Sequence, residues 1–237
     1  MSLRTLKRRL LRGLGLVPPK YQSYVGLGRD FELIGWTQFE HLKHWGLAGH
    51  HYLLDIGCGS LRGGRFAIKL MAPGHYYGID PNQWLIEEGI KHELGRRLYD
   101  AKQPIFSNDP DFNLSLFGRQ FDFLMAQSIF SHTSQAQMRK IFSEAAKVMH
   151  DRSIFLATYV PGESDYTGDE WSYPDGVTFT LDRMKRFAAA NGLECVPGNW
   201  FHPKQQWLVF YRLSNAEFVA ERLRFAYSSN SSAGGVA

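Results

Sequence analysis

Residues 53–64 read LLDIGCGSLRGG, an apolar run that ends in an acid and opens into glycines. The spacing Asp55-x-Gly57-x-Gly59 lets a backbone turn tightly against a ligand, with a carboxylate at its edge. A second acid, Asp80, ends another apolar run, in YYGIDPN. An acid there can accept both hydroxyls of a ribose. A dinucleotide site asks for G-x-G-x-x-G, so that a pyrophosphate can rest on a helix N-terminus. Here the register is Gly57-x-Gly59-x-x-Arg62, and the third glycine is missing. Asp55 is a poor neighbour for a pyrophosphate and a good one for a cationic amine. The two acids therefore ask for an adenosine that ends in a cationic, amino-acid-like group and carries no phosphate. S-adenosylmethionine is such a molecule.

Across about residues 25–212 the chain resembles the class I S-adenosylmethionine-dependent methyltransferases. Asp55, Gly57 and Gly59 look like the first motif of that family, and Asp80 like its ribose-binding acid. The step Asn108-Asp109 resembles its adenine-contacting position, and QFDFLMAQSIFSH (120–132) its fourth-strand motif. The resemblance implies a cofactor site made by Asp55, Gly57, Cys58, Gly59, Ser60, Asp80, Pro81, Asp109 and Gln127. More loosely, GLGRDFELIGWTQFEHL (26–42) and SIFSH (128–132) are similar to a subgroup that methylates sugars, polysaccharides and natural products. One departure stands out. The family loop continues G-x-G-x-G, whereas Ser60 and Leu61 follow Gly59 here. Either the loop is about two residues longer, or Leu61 replaces the third glycine.

Methyl transfer to an alcohol needs a proton acceptor, and a positioned base speeds such a step by about 10²–10⁴-fold. His132, just past the fourth apolar run, is the candidate catalytic base; histidine titrates near neutral pH. His202 is its rival, while His41, His44, His50 and His51 read as surface or packing residues. The segment PGESDYTGDEWSYPDG (161–176) carries five carboxylates with Tyr166, Trp171 and Tyr173. Aromatic faces beside carboxylates suit a small polyhydroxylated or glycan acceptor. Residues Tyr21–Trp36 either fold over the cofactor as a lid, with Gly26 and Gly28 allowing closure, or pack against the sheet. No metal is expected, because no ligand spacing is convincing.

These residues need a sheet to hold them. Apolar runs at Tyr52–Ile56, Tyr76–Ile79, Ile105–Phe106, Phe121–Ala126, Ile154–Tyr159, Leu193–Val196 and Gln206–Tyr211 read as seven strands. Helical patterns at Phe31–Trp45, Asn82–Leu98, Gln135–Met149, Leu181–Ala190 and Asn215–Tyr227 surround them. Ser134-x-x-Gln137 is a capping-box pattern, and Asn191-Gly192 a helix stop. Alternation of this kind predicts an α/β, Rossmann-like, mostly parallel sheet with helices on both faces. The short loop between the last two runs predicts a hairpin, hence an antiparallel strand at one edge.

The chain has 237 residues, 44% apolar and 21% charged, with two widely separated cysteines. A reducing, cytoplasmic setting is expected. Six of the 27 Lys and Arg lie in residues 1–20; the remaining 21 face 23 acids, so the body has a net charge of −2. No nucleic-acid partner is expected for such a body. The predicted organisation is a basic extension (1–20), a methyltransferase domain (21–227) and a disordered tail (228–237). Leucines among the cations of residues 3–16 allow a weak amphipathic contact with an anionic membrane surface. Two rival functions keep the fold: a catalytically idle cofactor-binding scaffold, motivated by the altered loop, and a nicotinamide-dependent oxidoreductase, disfavoured by Asp55.

Overall fold

The computed structural model describes residues 18–26 and 28–231, with side chains through residue 224. Among these residues one sheet has seven strands: β1 Leu53–Ile56, β2 Tyr76–Ile79, β3 Ile105–Ser107, β4 Phe121–Ala126, β5 Met149–Tyr159, β6 Glu194–Gly198 and β7 Gln206–Tyr211. The order across the sheet is β3-β2-β1-β4-β5-β7-β6. All pairings are parallel except those of β7, which runs antiparallel to both β5 and β6. The predicted hairpin is present, and its second strand inserts between β5 and the edge strand β6.

Why these runs become central strands is visible in β1, where all four residues are buried. A strand covered on both faces reads as a continuous apolar run. Leu54 and Ile56 point into one core cluster, with Leu124, Phe142 and Phe210. Leu53 points into the other, with Tyr76, Met125 and Trp207. Asp55 shares the parity of Leu53 and so faces the second layer.

The helices are α1 Lys20–Tyr24, α2 Phe31–His44, α3 Gly64–Leu70, α4 Gln83–Gly89, α5 Arg96–Lys102, α6 Gln135–Val148, α7 Leu181–Ala189 and α8 Ala216–Ser231. Side chains cap both α6 and α7. The Ser134 hydroxyl accepts from Gln137 N, and the Gln137 side chain accepts from Ser134 N. Thr180 caps α7, which stops at Gly192 with φ +69°.

Three local expectations change. The first concerns α3, which the sequence hides because it opens on Gly63 and Gly64, poor helix formers. It forms through burial of Ala67 and Ile68. The second is the expected long helix Asn82–Leu98. It is α4, a π-turn at Ile90–Leu94, a break at Gly95 (φ +78°) and then α5. Arg65 of α3 pairs with Glu93 of that turn, and the Tyr21 hydroxyl donates to the same carboxylate. Third, β5 begins at Met149, well before the expected Ile154, across the polar residues His150–Arg152. Met149 pairs with Phe121, and the Ser153 hydroxyl donates to Phe121 O.

Helix α8 runs to Ser231, into the expected tail. The basic segment 3–16 and the rest of the tail lie outside the described residues. No described helix is long and apolar enough to cross a membrane.

Candidate cofactor and acceptor cavity

The chain reverses direction across the sheet between β1 and β4. In open parallel sheets ligands bind at that switch, beyond the strand carboxyl ends. A cavity of about 740 Å³ opens there. Ligand sites commonly span roughly 300–1,000 Å³.

Its floor is the glycine loop after β1. Gly57 N and Cys58 N donate to Ile79 O at 2.7 and 3.2 Å, tying the loop to the end of β2. Gly59 N donates to Asp80 Oδ2 at 3.0 Å. Gly57 and Gly59 have φ of +74° and +50°, and Leu61 follows with +61°. Leu61 thus takes the left-handed conformation that a third glycine would, and is the replacement of the two alternatives left open by the sequence. The left-handed backbone costs about 1–2 kcal/mol. Complete burial of its side chain, worth about 1.5–3 kcal/mol, offsets it.

Asp55 is 4% exposed and accepts the Tyr76 hydroxyl at 2.6 Å. Burial raises its pKa to about 6; the Tyr76 bond and Arg62 oppose that shift, while Asp80 adds to it. Asp80 is also buried. Burial raises its pKa, against N–H donors from Asn82 and Gly59. Asp55 and Asp80 line the same cavity.

Of the other sites expected from sequence, Gly57, Cys58, Gly59, Pro81, Asp109, Gln127 and His132 line the cavity as well. Ser60 does not. It is fully buried behind the loop, with its hydroxyl donating to Tyr21 O at 3.2 Å. Cys58 stays a thiol, because burial pushes its pKa well up. The Asp109 carboxylate accepts from Asp111 N, Asn113 N and Asn113 Nδ2. It shapes its own loop. Burial opposes its charge, but these donors outweigh that and hold its pKa down.

The two candidate bases carry opposite tautomers. His132 Nδ1 lies 2.8 Å from Ser172 O and 3.0 Å from Asp175 O. Both are acceptors, so Nδ1 carries the hydrogen and Nε2 keeps a lone pair. His202 is the reverse: Lys204 N and Gln205 N donate to its Nδ1 at 3.2 and 3.0 Å. Its hydrogen sits on Nε2, so the rival base is a donor. His41 is fully buried, accepts the Trp45 indole N–H at 3.0 Å and stacks on Trp200. It is a packing residue.

The acidic segment after β5 behaves differently from its composition. Trp171, Tyr173 and Pro174 line the cavity, but none of its five carboxylates does. Asp165 instead binds Thr180 and Arg183 at the start of α7. Tyr166 packs on the core. Among the described residues no three His, Cys, Asp or Glu side chains gather as a metal site.

Two features were not legible from sequence. Arg62, in the sequence only the residue that broke a glycine pattern, is 8% exposed and lines the cavity. Its guanidinium donates to Val25 O at 2.7 Å. Burial lowers its pKa to about 10, against Asp55, and it stays cationic at neutral pH. The other is Gln127's role: the sequence named the residue, but both its amide atoms are buried without a partner. Tyr24, Val25 and Gly26 cover the cavity from above, and the Tyr173 hydroxyl donates to Tyr24 O.

The family model for a methyltransferase domain matches residues 54–155. Among solved structures, magnesium protoporphyrin IX methyltransferase from Synechocystis PCC 6803, with bound SAM, is similar at a TM-score of 0.61 and 13% identity, covering 90% of this chain and 98% of that one. The glycopeptide N-methyltransferase MtfA, complexed with S-adenosylmethionine, has a TM-score of 0.57 at 10% identity, over 75% of this chain and 94% of that one. CalO1, a methyltransferase in calicheamicin biosynthesis, has a TM-score of 0.55 at 11% identity, over 76% of this chain and 54% of that one. No curated protein matches the chain. Residues 54–155 thus match a methyltransferase domain, and the fold is shared with solved methyltransferases that hold S-adenosylmethionine.

Proposed function

We propose that residues 21–227 form a methyltransferase that acts on an oxygen of a small-molecule acceptor, with His132 as the base. The observation that carries this is the sharing of one cavity by Asp55, Asp80 and a histidine whose Nε2 lone pair is fixed by its Nδ1 bonds. The residues fit the cofactor. A Cβ on Gly59 would lie 2.8 Å from Val25 Cγ1, so only a bare backbone leaves the cradle open. Asp80 takes the ribose hydroxyls, Asp55 the ammonium and Arg62 the carboxylate of the amino-acid end. The cofactor supplies a methyl group already activated by its sulfonium.

What the protein adds is placement and a proton acceptor. Trp171 and Tyr173 hold the acceptor against the cradle, which by proximity alone can be worth several kcal/mol. His132 Nε2 would take the proton that the acceptor hydroxyl must lose. The similar proteins named above include a magnesium protoporphyrin IX methyltransferase and a glycopeptide N-methyltransferase, which supports a small-molecule acceptor. The loop carboxylates do not line the cavity, so contact with a small or carbohydrate-type acceptor falls to Trp171 and Tyr173.

The test is release of S-adenosylhomocysteine across an acceptor panel, with His132→Ala alongside. Turnover should fall by about 10²–10⁴-fold in the variant while cofactor affinity is kept. Unchanged turnover would remove the base. Absence of S-adenosylmethionine binding at millimolar ligand would favour the idle scaffold instead.

A further inference from the structure

Charge in the cavity is divided by position in the fold. Its carboxylates, Asp30, Asp55, Asp80 and Asp109, all come from the start of α2 and the ends of β1, β2 and β3. From the end of β4 onward the described lining contains no Asp or Glu. That second side presents Lys204, His202, Gln205 and Gln127, with Trp171 and Tyr173. None of the ion pairs among the described residues involves Lys204.

Four polar atoms on this side are unmatched. Gln127 is 7% exposed, and both its amide atoms are buried without a partner. His202 Nε2 and Gln205 Oε1 are in the same condition. Burial, with Arg62 nearby, pushes the His202 pKa down to about 4, so the ring is neutral at neutral pH. With Nδ1 already accepting two backbone N–H groups, Nε2–H is a fixed donor. Two of these atoms are donors, Gln127 Nε2 and His202 Nε2, and two are acceptors, Gln127 Oε1 and Gln205 Oε1; unpaired buried groups are costly, and a ligand that both accepts from them and donates to them recovers that cost. The remaining wall is aromatic: the His132 ring lies 5.5 Å from Trp171 and 5.3 Å from Tyr173, and Phe112 lies 6.5 Å from Trp171.

We infer that this side is an acceptor subsite for a negatively charged, hydroxylated ring compound, an aromatic hydroxy acid. The inference rests on the cofactor assignment above. The ring lies on Trp171 and Tyr173, its anionic group meets Lys204 Nζ and His202 Nε2–H, and its hydroxyl faces His132 Nε2. From Gln127 onward the lining offers a cationic acceptor no carboxylate.

The test is calorimetry on the protein saturated with S-adenosylhomocysteine. Three catechols of one shape are titrated: protocatechuate, its benzyl alcohol and its benzylamine. Protocatechuate should bind, the alcohol should bind roughly fivefold more weakly, as loss of a part-exposed ion pair predicts, and the amine should bind weakest. Lys204 is exposed, so Lys204→Glu should fold normally and reverse the order of acid and amine. Equal binding of acid and amine, an unchanged order in Lys204→Glu, or no catechol binding would overturn the subsite. Failure of S-adenosylhomocysteine itself to bind would overturn the cofactor assignment beneath it.

Discussion

Asp55, proposed above to hold the cofactor's ammonium, works against the fold that holds it. Its pKa is raised to about 6, so the ionised form is disfavoured in the folded protein. The sign follows by linkage: its contribution to stability is fully present below the unfolded value of about 4 and is lost as pH rises through about 6. A bound ammonium reverses the preference, because it needs the carboxylate. S-adenosylmethionine affinity should therefore fall as pH drops below about 6, and binding near that pH should release a proton. Calorimetry in buffers of different ionisation enthalpy reads both. Asp55→Asn keeps an acceptor for the Tyr76 hydroxyl and removes the buried charge. It should leave thermal stability at neutral pH unchanged or higher, while weakening the cofactor by at least ~30-fold, the lower end for loss of a buried charge partner. A variant less stable than wild type with normal affinity would contradict this account of Asp55.

At the scale of elements, the site depends on close approaches that only particular residues permit. A Cβ on Gly64 would sit 2.3 Å from Tyr76 Oη. Gly64→Ala should push that hydroxyl off Asp55, raise the Asp55 pKa further and move the pH dependence of cofactor binding upward. A pH profile matching wild type would refute the coupling between α3 and β2. Likewise, a Cβ on Gly89 would lie 2.7 Å from the Ser60 carbonyl, so α4 presses on the glycine loop. For Leu61→Gly two effects compete. Relief of the left-handed backbone gains about 1–2 kcal/mol, and loss of a fully buried leucine costs about 2–5 kcal/mol. The cavity term wins, so chemical denaturation should show net destabilisation. A more stable variant would show that strain at Leu61 dominates.

For the whole molecule, what could be read from sequence divides along physical lines. Long apolar runs and cap residues marked the strands, α6 and α7, because burial and capping leave local patterns. That Asp55, Asp80 and His132 come to one cavity was legible, because residue types beyond strand ends are chemical signals. Helix α3 was hidden by its glycines, and the π-turn by a helical pattern that does not reveal a break until Gly95. The acidic loop misled because composition does not tell which way a carboxylate points: Asp165 turned to cap α7. The His132 and His202 tautomers depend on backbone atoms from distant or looped segments, which no spacing encodes. Arg62 was visible only as a missing glycine, and became a cavity cation once α2 and the covering segment enclosed it.

The central claim is that the switch-point cavity is built for a nucleoside that is zwitterionic at its far end and free of phosphate. Parallel calorimetric titrations of S-adenosylmethionine and of a nicotinamide dinucleotide into the wild-type protein test it most directly. S-adenosylmethionine should saturate a single site and the dinucleotide should give no measurable heat of binding; tighter binding of the dinucleotide would contradict the claim.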